Sequence, residues 1–85
     1  MEILVADNLR RSLNGIKDRK TLEMVEARIR KIIADPGIGK PLRYCFKGER
    51  TVRIGPMRLV YSFSGGQLVL LRLLHRKGVY VLKRT

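Results

Sequence analysis

Eighty-five residues, 45% of them hydrophobic and 31% charged, suffice for one domain with a single core and exclude a disordered basic tail. Nineteen Lys and Arg stand against seven Asp and Glu, a net charge of +12. That imbalance concerns partners rather than fold, with nucleic acid first and an anionic membrane or acidic protein behind it. Because the basic residues are not gathered on one amphipathic face, the membrane reading is the weaker. The lone cysteine, Cys45, excludes an intramolecular disulfide and a Cys-based zinc site. The opening Met1-to-Asp7 stretch is too briefly apolar for a signal peptide or a spanning helix, so a cytoplasmic protein is expected.

Ile3 to Ala6 is β-rich and ends at Asp7-Asn8, two good N-cap residues, which predicts a first strand followed by a helix. Leu9, Leu13 and Ile16 share one face of that helix, and Gly15 weakens its end. Asp18 caps a second, longer helix whose apolar stripe is Leu22, Val25, Ile29, Ile32 and Ile33. Asp35-Pro36-Gly37 stops it, because the residue before proline is pushed out of the α region. Ile38 to Glu49 reads as a loop or an irregular edge strand. From Arg50 the apolar period becomes two, and Gly55-Pro56 fits a type II′ hairpin turn. Met57 to Phe63 is the return strand, and after Ser64-Gly65-Gly66-Gln67 the run Leu68 to His75 is the next. The expectation is one α+β domain over residues 1–85 in β-α-α-β-β-β order. Two helices pack on one face of a small, mostly antiparallel four-stranded sheet.

The Gly-Pro turn pairs Arg53 with Arg58, so two guanidinium groups face each other across strands. Repulsion makes that pairing useless to a purely structural sheet. The second hairpin has two possible registers. A two-residue Gly65-Gly66 loop carries Arg72 into the helix-packed core, whereas an odd-numbered loop places Arg72 and Arg76 beside Arg58. An unpaired buried guanidinium costs several kcal/mol, so the odd loop is expected. It puts Val69, Leu71 and Leu73 in the core and leaves Leu68, Leu70 and Leu74 on the open face.

Three stretches resemble the RelE/ParE superfamily, the toxins of type II toxin–antitoxin pairs. They are Pro41-Leu42, Thr51-Val52-Arg53-Ile54-Gly55 leading to Met57-Arg58-Leu59-Val60-Tyr61, and His75-Arg76-Lys77-Gly78-Val79-Tyr80. The resemblance is nearer the RelE branch and implies a metal-independent, ribosome-dependent mRNA endonuclease without a cofactor. It also implies an acidic RelB-like antitoxin as partner. By position, Arg53 matches a basic residue of the RelE catalytic strand and Arg58 the phosphate-binding arginine. Arg76 matches the catalytic arginine and Tyr80 the C-terminal tyrosine. Thr51 stands where RelE has a lysine, and no carboxylate occupies the place of the glutamate base of some relatives. His75 and Arg72 are candidate supporting residues, although Arg72 has the plainer role of pairing with Glu2 or Glu49. Two alternatives stand beside this reading: a ParE-like toxin that inhibits gyrase without being an enzyme, and a paralogue that only binds antitoxin.

Overall fold

The computed structural model describes residues 1–41 and 48–75; the expectations for Cys45, Arg76 and Tyr80 fall outside them. The chain forms β1 (Glu2–Val5), α1 (Asp7–Asn14), α2 (Arg19–Ala34), a 3₁₀ turn (Pro36–Ile38), β2 (Lys40–Pro41), β3 (Glu49–Ile54), β4 (Met57–Ser64) and β5 (Gln67–His75). The sheet order is β1-β5-β4-β3-β2. β1 runs parallel to β5 and the other pairings are antiparallel. The α+β architecture is the expected one, with five strands instead of four because β2 forms within the segment read as a loop or edge strand. No described helix is long and apolar enough to cross a membrane.

Local chemistry explains both helices. Asp18 caps α2, accepting from the Lys20 N–H at 3.3 Å and from the Thr21 hydroxyl at 2.6 Å. Asp35 then accepts from the Gly37 N–H at 3.3 Å and opens the 3₁₀ turn. At α1 the expectation needs correcting: the N-cap is Ala6, which makes no side-chain cap bond. Asp7 lies in the first turn instead, where its charge complements the helix dipole. Leu9 of α1 and Val25 and Ile32 of α2 are fully buried against Val52, Ile54, Leu59, Tyr61, Leu68 and Leu70 of the sheet.

The register of β4 on β5 corrects the sequence reading in its device and keeps its outcome for arginine. Ser64 pairs with Gln67 around a two-residue Gly65-Gly66 loop, and both glycines have positive φ, 57° and 76°, the signature of a type I′ turn. From there Phe63 pairs with Leu68 and Tyr61 with Leu70, but Val60 pairs with Arg72. Leu71 is therefore an extra residue, a bulge that exchanges the two faces of β5. Before the bulge Leu68 and Leu70 point into the core, at 0% and 2% exposure. After it Leu73 points inward opposite Leu59, and Arg72 and Leu74 share the face of Arg58. Leu68 and Leu70 are core residues and not open-face residues, while Val69 lies opposite Ser62 on the open side.

Tyr61 fixes the connection from α2 to β2. Its hydroxyl donates to the Pro36 carbonyl at 2.6 Å and accepts from the Gly39 N–H at 2.9 Å. The Arg50 guanidinium donates to the Gly39 carbonyl at 2.8 Å, so side chains from the sheet satisfy both backbone groups of Gly39. A Cβ at Gly39 would lie 2.5 Å from the Tyr61 oxygen, which leaves room for no larger residue.

The face away from the helices is not uniformly wet. Arg72 donates from Nη2 to Glu49 Oε1 at 3.0 Å, bridging from β5 across β4 to β3. Val60, beneath that bridge, is 3% exposed and Glu49 is 9% exposed. Of the two partners the sequence offered Arg72, Glu49 is the one used; Glu2 instead accepts from Gln67 Nε2 at 2.9 Å.

Two expected outcomes follow from these contacts. Tyr61→Phe leaves the Gly39 N–H and the Pro36 carbonyl without this partner and should cost about 1–3 kcal/mol in denaturant unfolding. Burial pushes the Tyr61 hydroxyl above its ordinary pKa of 10.0, against the opposing effect of the Gly39 N–H. The neutral phenol is thus favoured by folding, and its contribution is full below the unfolded-state value and lost as pH rises above it. Tyr61→Phe should flatten the alkaline limb of the stability profile; an unchanged limb contradicts the clamp. Separately, Arg72→Met strands the buried Glu49 carboxylate and should destabilise by about 1–3 kcal/mol. The double variant with Glu49→Leu should recover part of that loss in a thermodynamic cycle, and strict additivity would show the pair to be uncoupled.

Candidate functional site

The Gly55-Pro56 turn is a two-residue loop, with Gly55 at φ 58° and Ile54 paired to Met57. Its tightness sets Arg53 directly opposite Arg58, as the sequence predicts. Both arginines are exposed on the face opposite the core. Cross-strand like charges are destabilising, so this pair is a local expense that packing does not require. Arg72 shares their face but is committed to Glu49. His75 pairs with Met57, whose side chain is buried, so backbone alternation puts it on the side opposite Arg58.

Beside the arginine pair lies a groove of about 520 Å³ lined by Arg28, Ile38, Lys40, Thr51, Val52, Arg53 and Arg58. Among the described residues that line it, four of seven are cationic and none is acidic. β2, as described, pairs Lys40 with Thr51 and Pro41 with Arg50. Beyond Thr51 no described strand flanks β3, and the groove passes around this edge. Arg28 approaches from α2, while Ile38 and Lys40 flank the Gly39 held by Tyr61 and Arg50. Thr51 Oγ1 is buried without a hydrogen-bond partner among the described residues, although buried hydroxyls are normally satisfied. Among the described residues no group of three or more His, Cys, Asp or Glu could hold a metal ion. What this arrangement can do is bind anions and stabilise developing negative charge.

Sequence reasoning found Arg53 and Arg58 and missed Arg28, Ile38 and Lys40. Arg28 lies on the polar side of an amphipathic helix, where any cation looks like ordinary solvation. Lys40 and Ile38 fall in a segment without periodicity. The one available signal was Gly39 between them, which hints at a close backbone approach.

A sequence model of the ParE toxin of type II toxin–antitoxin systems, parDE, matches residues 5–80. Among solved structures, the RelB–RelE antitoxin–toxin complex of Methanococcus jannaschii aligns with a TM-score of 0.77 at 17% identity, over 93% of this chain and 96% of that one. The RelBE2 toxin–antitoxin complex of Mycobacterium tuberculosis aligns at 0.71 and 29% identity, covering 88% and 96%. The chromosomal ParDE system of Pseudomonas aeruginosa aligns at 0.70 and 18% identity, covering 88% and 95%. No curated protein matches the sequence significantly. Structures named for RelE and for ParE thus share this fold, and the fold does not separate the two branches. With a family match that runs from the end of β1 through the whole of β5, the chain belongs to the ParE toxins of type II toxin–antitoxin systems, within the RelE/ParE superfamily.

Proposed function

We propose that this toxin cleaves mRNA on the ribosome as a metal-independent endoribonuclease. The observation that carries the reading is the facing pair Arg53 and Arg58, set on a groove edge where no described lining residue is acidic. In the reaction the ribose 2′-oxygen loses its proton and attacks the adjacent phosphorus. The bond to the 5′-oxygen breaks and that oxygen takes up a proton, leaving a 2′,3′-cyclic phosphate and a 5′-hydroxyl. Charge accumulates on the nonbridging oxygens during attack. Paired guanidiniums suit that charge because they stay protonated at every accessible pH and donate in a planar fork. Arg58 and Arg53 take the phosphate. Arg76 and Tyr80, which lie outside the described residues, keep the parts implied by the resemblance: the leaving-group side and stacking on a base. The partner is an acidic antitoxin of the RelB or ParD kind, drawn to the +12 surface in the cytoplasm where ribosomes work.

A reconstituted translation reaction tests this. Wild-type protein should stop synthesis with cut mRNA, and Arg58→Ala or Arg76→Ala should each weaken the effect by about 10²–10³-fold, as for removal of one charge-stabilising donor. Full inhibition by both variants would sink the assignment. The ParE-type family match favours a second reading, inhibition of DNA gyrase. Loss of supercoiling activity with mRNA left intact would establish that reading in place of the first.

A further inference from the structure

The groove beside the arginine pair is larger than cleavage at one phosphate requires. Its volume of about 520 Å³ falls in the range, roughly 300–1,000 Å³, of pockets that enclose a whole small molecule. Its cations also lie on both sides of the β3 edge. Arg53 and Arg58 belong to the open face, while Arg28 comes from the helix layer and Lys40 from the adjoining strand. Strand spacing and rise put the backbones of Arg58 and Lys40 roughly 12 Å apart. Between them is an apolar wall that includes Val52 and the 42%-exposed Ile38.

We propose that Arg28, Ile38 and Lys40 form a second nucleotide subsite that holds single-stranded RNA next to the phosphate gripped by Arg53 and Arg58. The inference rests on the reading of that pair as a phosphate site and extends it around the sheet edge. The neighbouring phosphate lies between Arg28 and Lys40, and its base rests on Ile38. An acidic peptide is the less suitable occupant, because an apolar wall between two cationic ends matches a flat base flanked by phosphates. A duplex is too wide to turn around one strand edge. The groove therefore selects an unpaired strand, in keeping with the preference of RNA recognition for exposed bases.

The test is fluorescence-anisotropy binding of labelled hexa-uridylate and di-uridylate to the purified chain across a salt series. Each phosphate released from a cation changes the single-strand salt slope by about 0.7. Arg28→Ala combined with Lys40→Ala releases that one phosphate and should therefore reduce the slope for the hexamer by about 0.7 while changing dimer binding little. Ile38→Ser should weaken hexamer binding several-fold without altering the slope. All three positions are exposed, and thermal melts establish that the variants remain folded. An unchanged hexamer slope in the double variant overturns the subsite. So does competition by polyglutamate at the same charge concentration that equals competition by unlabelled RNA. Failure of the subsite alone leaves mRNA cleavage standing, since the translation assay reads Arg58 and Arg76 independently.

Discussion

A single inserted residue, Leu71, decides which side chains this sheet can bury. The Gly65-Gly66 loop, being two residues long, fixes Leu68 and Leu70 on the core side. Without interruption, the same register would carry Arg72 opposite Leu59 and into the core. Shifting the loop to rescue Arg72 would instead expel Leu68 and Leu70. The bulge at Leu71 meets both demands by changing register partway along one strand. Full burial of each leucine is worth about 1.5–3 kcal/mol, and a stranded guanidinium costs several. Those magnitudes outweigh the local disruption of one ladder position.

The bulge also organises the open face. Once Arg72 emerges there it crosses β4 to Glu49 at 3.0 Å and shields Val60. That half of the face is spent on structure, with its charge neutralised. Toward the Gly55-Pro56 turn the face is different: Arg53 and Arg58 oppose each other, and none of the described residues lining the groove beside them is acidic. The fold thus divides its cations between a paired set that holds strands together and an unpaired set that gathers potential. Lys40 joins the second set because Tyr61 and Arg50 hold Gly39, its neighbour, against the sheet.

Much of this was legible in the sequence, for identifiable reasons. The α2 stripe, the Asp18 cap and the stop at Asp35-Pro36 rest on local rules with little competition from distant contacts. The Arg53–Arg58 pairing followed from a turn whose length Gly55-Pro56 dictates. The β4–β5 register was not legible, because a bulge has no composition of its own: Leu71 sits in an unbroken apolar run and resembles its neighbours. Arg72 must avoid the core, but two devices keep it out, and burial of Leu68 and Leu70 selects between them. Ala6 as the α1 cap illustrates another limit, since Asp7 is as good a cap as Asn8 until β1 fixes where the chain turns. Arg28 and Lys40 stayed hidden because they meet the arginine pair only in space, from α2 and β2.

The pairing of β1 with β5 governs when the molecule can come into existence. Ile3 finds Leu68, and Val5 finds Leu70, only across the parallel ladder between the first and last described strands. Such distant pairing is slow to nucleate, since loop closure precedes any reward. On the ribosome β1, α1 and α2 emerge well before their partner, at about 5–20 residues per second. Until β5 follows, β1 has no neighbour, because β5 alone joins it to the rest of the sheet. A nascent chain arrested before β5 also lacks Leu68 and Leu70, the floor beneath Leu9. Partial translation products that stop before β5 are consequently unable to assemble this sheet, and the fold forms only once β5 has emerged.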